Sequence, residues 1–439
     1  MFETLKNAFK VKEIRKKIWM TLLFLLIFRL GSYIPVPGIS SSSFADNFAN
    51  ANNNFLNLMS MITGGAMANA TLFALGIGPY INASIIMQLL SVGIPALEAL
   101  SKQGEDGRKK IAQYTRYLAI VLAIVQSIGI IVNYASSSGN VIDMSMFFNQ
   151  KWLAYIYMSI VYTAGSCIVM WIGDRITEYG IGNGTSLIIF VGILATAGLT
   201  ILAKIEGIFG FGSYANDGMQ NLVDLAIFAV LAIVVFFLIV TVDLAERRVP
   251  VQYAKQVKGR KMYGGQSSNI PMKISGSGVM PLIFAFSIIS FPSMIMGLFW
   301  PNSSAYAWWS EHFDSGSWAY VLVLCLLIFA FAFFYAQIQF NPEDISKSIQ
   351  GNGGFIQGIR PGKPTADYLR KINNRITLFG AIYLSLIAFI PSLIFSIAGS
   401  EFVNVFSTTG ILIVVSVALE FDKQLQSQLM MKTYKGFLK

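Results

Sequence analysis

The chain has 439 residues, 55% of them hydrophobic and 12% charged, with 32 Lys and Arg against 22 Asp and Glu for a formal net charge of +10. Soluble domains carry about a quarter of their residues as charges, so an ordinary cytoplasmic enzyme is excluded. Two cysteines, Cys167 and Cys325, each inside an apolar run, and a single histidine, His312, leave no disulfide framework and no His-based metal cluster.

At the N-terminus, FETLKNAFKVKEIRKKIW sets Phe2, Leu5 and Phe9 apart from Lys6, Lys10 and Lys17 around a helix. This predicts an amphipathic helix lying at a membrane interface. A bilayer core of roughly 30 Å needs about 20 helical residues to cross. Ten apolar runs approach that length: 18–34, 73–94, 117–132, 152–172, 184–203, 222–242, 279–300, 318–338, 376–398 and 402–420. Pro35-Val36-Pro37-Gly38 follows the first run where a secretory signal would have a small-residue cleavage site, so the run is expected to be retained.

Between the first two runs, the apolar piece 55–62 would make only about 12 Å of helix and cannot span. Gly64-Gly65 and a stretch of small residues follow it. The pattern predicts a short helix entering from the outer side and leading into the second run; an external surface loop is the other reading. Non-helical backbone at membrane depth survives only where protein or water satisfies it.

Ten spans place both termini on one side. Lys and Arg number six in residues 1–17, five in 95–116, one at Arg175, seven in 243–278, six in 339–375 and four after 420, which is 29 of 32 on one face. The positive-inside rule makes that face cytoplasmic. Lys151 and Lys204 fall on the other face, and Arg29 lies within the first run, where pairing with helix ends or snorkelling is expected.

Loops 243–278 and 339–375 each exceed 30 residues, where bundle connections usually take about 2–8. Both combine clustered Arg and Lys with turn residues, a content that predicts a docking platform for an acidic partner, either an RNA surface or a protein motor. No acidic residue sits near the middle of any run, which argues against an ion-coupled solute transporter. Asp174 and Glu178, one helical turn apart, read as a helix-end charge pair and not as an intramembrane catalytic cluster.

FALGIGPYINASIIMQLL (73–90) and WIGDRITEYGIGNGTSLIIF (171–190) resemble the two signature stretches of the SecY family, the pore subunits of bacterial protein-conducting channels. The likeness continues through GEDGRKKIAQYTR (104–116), GVMPLIF (278–284) and GIRPG (358–362), and so covers essentially the whole chain. The resemblance implies an all-α polytopic membrane protein of ten transmembrane helices with a re-entrant plug helix, a channel and not an enzyme, with no cofactor. It implies two pseudo-symmetric halves, residues 1–203 and 222–439, hinged at the external loop 204–221.

On the family's pattern the pore ring falls on Ile77, Ile81, Thr185, Ile189, Ile283 and Ile413, and the Thr185 hydroxyl is expected to make one sector of it more polar. The plug, about residues 55–70, takes in Phe55, Leu58, Met59, Ile62, Gly64, Gly65 and Met67. The lateral gate between the second and seventh spans involves Gln88, Gln126 and Phe291, the two glutamines as a weak latch. Docking of the motor ATPase SecA or of ribosomes falls on Arg247, Arg248, Lys255, Arg360 and Lys363. The further partners implied are SecE, SecG, signal peptides, unfolded preproteins and membrane lipids, in the bacterial cytoplasmic membrane with both termini cytoplasmic.

Overall fold

The computed structural model describes residues 2–41, 43–45, 59–136, 142–147, 150–209, 218–253, 256–258, 261–263, 267–274, 280–300, 303–313, 317–398 and 408–436. Among the described residues, each of the ten apolar runs contains a helix over most of its length. These are α2 (Lys12–Gly31), α3 (Gly78–Gly93), α5 (Glu105–Ser136), α6 (Lys151–Tyr179), α7 (Gly184–Ile208), α8 (Gly218–Leu244), α9 (Met280–Phe299), α11 (Trp318–Gln339), α13 (Lys363–Ala398) and α14 (Thr408–Gly436). Among the described residues six of them, α5, α6, α7, α8, α11 and α13, are long and apolar enough to cross a membrane by length and composition. Short connecting helices are α1 (Phe2–Lys10), α4 (Pro95–Lys102), α10 (Ser304–His312) and α12 (Pro342–Gly351).

Side-chain oxygens set several of the starts. Asn183 accepts from the Thr185 and Ser186 amides to open α7, and Ser317 accepts from Tyr320 to open α11. Asn341, followed by Pro342, does the same for α12 through the Glu343 amide. Ile94 is extended because Pro95 follows it, and the chain there turns by 104° from α3 into α4.

Three expectations change. The second run is not helical from its beginning: 72–77 is turn, and α3 starts only at Gly78. The Ser166 hydroxyl donates to the Gly76 carbonyl at 3.0 Å, satisfying backbone that the helix leaves unpaired. Helix α7 runs on to Ile208, so Lys204 is buried within it instead of opening an external loop; residues 210–217 of that loop lie outside the described ones. The amphipathic N-terminal helix forms, but part of its apolar surface is covered by protein, while Phe9 stays exposed. Leu5, Ala8 and Val11 pack with Ile181, Leu425 and Leu429 near the far end of α14.

The apolar interior divides in two. One core draws on α2, the segment 59–77, α5, α6 and α7, with Ile413 and Val417 of α14. The other draws on α8, α9, α11, α13 and α14, with Ile85 of α3. Ile81 packs against both. Helix α7 lies against α8, while α3 and α9 both lie against α5, so the two cores meet along a seam through the bundle.

The two long basic loops fold into one small sheet. Strand β1 (Glu246–Tyr253) pairs antiparallel with β4 (Ser267–Lys273) on one side and with β5 (Gly354–Phe355) on the other; β2 (Gln256–Lys258) and β3 (Lys261–Tyr263) form a separate ribbon. Val249, Val251 and Met272 meet Ile349, Ile356, Leu369 and Ile372 in a core of their own.

Candidate functional site

A cavity of about 600 Å³ opens at the end of the bundle that carries the sheet. Its mouth is polar, with Asp243, Gln339, Asn373, Glu420 and Lys423, and Lys423 Nζ lies 3.2 Å from Asp243 Oδ2, joining α14 to α8. Its inner wall includes Ile189, Ile283 and Ile413. Beyond that wall lies a pocket of about 30 Å³, room for one or two waters, lined by Met59, Met61, Ile62, Ile81, Asn82, Phe286, Ile283 and Ile413 among others. Ile283 and Ile413 border both spaces, and among the described residues no Asp, Glu, Lys or Arg borders the small one. A narrow apolar constriction of this kind sheds water and resists ions.

The remaining ring candidates stand further back. Ile77 is the residue before α3, and the Ile81 amide bonds to its carbonyl at 3.1 Å. Ile77 and Thr185 meet over Gly173, where a Cβ would lie 3.5 Å from both side chains. The Thr185 hydroxyl, expected to make the ring polar, instead donates to Asn183 Oδ1 at 2.6 Å, the same oxygen that caps α7, and Thr185 borders neither cavity.

The segment after residue 58 enters this space from the opposite end; Phe55 and Leu58, named as plug residues, lie outside the described residues. Residues 59–62 are helical and 63–70 are turns. Met59, Ile62 and Met67 are buried. The segment satisfies much of its own backbone: Thr63 Oγ1 donates to Met59 O at 2.8 Å and accepts from the Met67 amide at 3.3 Å, and the Gly65 amide reaches Ser60 O at 2.8 Å. Two glycines admit it. Gly64 has φ +70, which a side chain rarely adopts. Gly192 of α7 faces it so closely that a Cβ there would stand 1.9 Å from the Ile62 carbonyl oxygen.

Arg29, the one charge within the first run, reaches this segment. Its Nη1 donates to the Gly64 carbonyl at 2.8 Å, its Nη2 donates to Tyr33 Oη at 2.8 Å, and its guanidinium sits 4.6 Å from the Tyr33 ring centre. The charge was legible in the sequence. Its partner was not, because 35 residues separate the two ends of the bond.

Helices α3 and α9 face one another across the small pocket, from Gly78, Ile81 and Asn82 to Leu282, Ile283, Phe286 and Ser287. The two glutamines expected to latch this side do not meet through any observed bond. Gln88 donates to Ser84 of its own helix at 3.3 Å, and the buried Gln126 amide nitrogen has no hydrogen-bond partner among the described residues. Phe291 is exposed on α9.

On the sheet, Arg247 and Arg248 are both exposed and, being adjacent in a strand, point to opposite faces. Arg248 folds back on Glu246 at 2.7 Å, which leaves Arg247 the more available cation. Arg360 stands exposed on the turn after β5 and Lys363 is exposed at the start of α13. The turn is pinned by Thr365 Oγ1 donating to Arg360 O at 2.8 Å and Ser346 Oγ donating to Gly362 O at 2.7 Å. Lys255 lies outside the described residues.

Comparison with known proteins gives this geometry a lineage. Residues 71–421 match the SecY family. The protein translocase subunit SecY of Streptomyces coelicolor is 41% identical over 447 aligned residues, spanning 100% of both chains. Among solved structures, one reporting that the plug domain of the SecY protein stabilises the closed state of the translocation channel shares the fold at a TM-score of 0.66, with 18% identity, over 94% of this chain and 92% of that one. Sec61 in the canine ribosome–channel complex from the endoplasmic reticulum gives 0.61, also at 18% identity and with the same coverage. With the family matched across most of its length and the identity sustained from end to end, the chain belongs to the SecY family.

Proposed function

We propose that this multi-pass membrane protein is the conducting subunit of a protein translocase, passing unfolded polypeptides across the membrane and releasing apolar segments sideways into it. One observation carries the reading: Ile283 and Ile413 form an uncharged wall between a polar vestibule and a segment packed in from the opposite side. Such a wall offers a sliding chain only weak, non-directional contact, so composition matters little to passage. Ile81 and Ile189 complete the ring around those two, with Ile77 and Thr185 supporting it from behind. Residues 55–70 act as the plug. The face between α3 and α9 is the lateral gate, its Gln88, Gln126 and Phe291 lying along the opening path.

The division of the apolar interior supports two moving halves, 1–203 and 222–439, hinged within 204–221 in the connection that follows the end of α7 at Ile208. Arg247, Arg248, Lys255, Arg360 and Lys363 form the docking surface for SecA and for ribosomes, where a guanidinium grips carboxylates or phosphates. SecE, and SecG with it, completes the complex in the bacterial cytoplasmic membrane, both termini cytoplasmic as the basic residues require. The chain supplies a path and its partners the energy; a solute transporter would need a coupling group, and none borders the small pocket among the described residues.

Reconstitution with SecE and SecA tests this directly. ATP is expected to make an unfolded secretory precursor protease-protected inside vesicles, and solute counterflow without precursor transport would refute the reading. In the same assay Arg360→Glu is expected to lower motor-driven export by at least about tenfold, the scale of losing one partner of a close charge pair, while membrane insertion falls less. Equal loss of both at normal protein levels would remove Arg360 from the motor's site.

Because its hydroxyl faces the helix cap, Thr185→Ile is expected to leave resting ion flux within about twofold of the parent, at a cost of about 1 kcal/mol in stability for the lost bond. A larger change in flux would put that hydroxyl back in the lumen.

A further inference from the structure

We infer that Arg29 is a latch: its guanidinium holds residues 59–69 in the closed channel through the Gly64 carbonyl and lets them go without itself moving. The inference rests on reading that segment as the plug, and it adds what sets the plug's resting balance. A guanidinium within an apolar span is costly unless its donors are used. Here one edge serves the plug and the other serves Tyr33, two residues beyond the end of the same helix. When the plug leaves, the Tyr33 bond and ring contact remain, so the charge is never stranded and the released state stays accessible.

The plug is built to leave as a unit. Its internal bonds run from Met59 to Thr63, from Ser60 to Gly65 and from Thr63 to Met67. Its far end is fastened to the exit of α2, the Val36 amide donating to Ala70 O at 3.1 Å and the Leu72 amide to Ile34 O at 2.8 Å. At this anchor stands Ala70 with φ +48, a conformation that disfavours a side chain and marks the pivot. Thr196 also reaches the segment, but its one hydroxyl proton is shared between Met61 O at 3.3 Å and Gly192 O at 3.2 Å. The charged bond from Arg29 is the stronger hold.

The test uses the channel reconstituted with its partner subunits, both native cysteines replaced by alanine and one cysteine placed at Met67, which is 1% exposed. A membrane-impermeant maleimide added from outside reports plug release, and anion efflux from the vesicles reports the seal. Arg29→Leu is expected to speed labelling by about tenfold or more, as loss of a charge-assisted bond implies, and to raise efflux with it. Arg29→Lys, which keeps the charge but cannot reach both partners, should fall between, and Tyr33→Phe should stay near the parent.

Gly192→Leu, which collides with the plug backbone whatever stands at residue 29, is the control. If it raises labelling and efflux while Arg29→Leu leaves both at the parent level, the latch is wrong and the plug reading stands. If neither variant changes either readout, the plug reading itself fails. Should Arg29→Leu not accumulate, Arg29→Lys decides: labelling at the parent rate overturns the latch.

Discussion

Gly192→Leu is expected to open the resting channel to ions. A Cβ at this position would lie 1.9 Å from the Ile62 carbonyl oxygen, 2.8 Å from its carbon and 3.3 Å from the Gly64 nitrogen. All three are backbone atoms, so no rotamer change relieves the overlap. Either α7 shifts, disturbing the core around Ile188, Ile189 and Ile193, or the segment 59–69 moves out, and the second costs less because the segment carries its own hydrogen bonds. Overpacking of this kind costs about 1–3 kcal/mol, a factor of roughly 5 to 150 in the population of the displaced state. Resting conductance of channels in planar bilayers, measured before any precursor is added, should rise by that order, with Gly192→Ala between the leucine variant and the parent. A leucine variant as tight as the parent would mean that the close approach does not seal anything.

The second large effect is expected at the wall itself. Ile283→Asp combined with Ile413→Asp places carboxylates where the two cavities share their lining. A carboxylate cannot be left dry, so water follows it in and the apolar barrier to ions is lost. Fixed negative charge in a narrow passage raises the local cation concentration by at least about tenfold. The double variant should therefore leak and prefer cations, read as a shifted reversal potential across a potassium chloride gradient, and precursors rich in Lys and Arg should pass more slowly than acidic ones. Ile283→Leu with Ile413→Leu, which keeps the volume apolar, should hold the seal. Asp variants with parental conductance and no charge preference would move the constriction to other residues.

The helices were legible because hydrophobicity over about 20 residues leaves a long chain few alternatives. Their ends were less so. Hydropathy marks only the lipid-facing part, while α5 begins at Glu105, α13 at Lys363 and α14 continues to Gly436, all on polar residues that favour helix once a core holds them. Residues 73–77 are as apolar as any span, yet turn, where the Ser166 hydroxyl of α6 donates to the Gly76 carbonyl and Gly165 leaves room for the Leu72 carbonyl to approach.

For the site, family likeness named Ile189, which lines the large cavity, Ile81, which lines the small one, and Ile283 and Ile413, which line both. It gave no indication that Thr185 would turn its hydroxyl to Asn183, a choice made by local cap geometry. Nor could it pair Arg29 with Gly64, or join two basic loops through a strand of two residues, since contacts across 35 or 100 positions leave no periodic trace in a single sequence.

That shared sheet has a mechanical consequence. Strand β1 follows directly on α8, β4 runs on toward α9, and β5 leads through the Arg360 turn into α13, with the Ile274 amide tied to the Ala245 carbonyl at 3.0 Å. Backbone ladders stretch little, so a thrust delivered at Arg360 travels as a lever stroke into the roots of three helices at once. A load on this sheet would therefore displace α8, α9 and α13 together, with no relay of side chains between them.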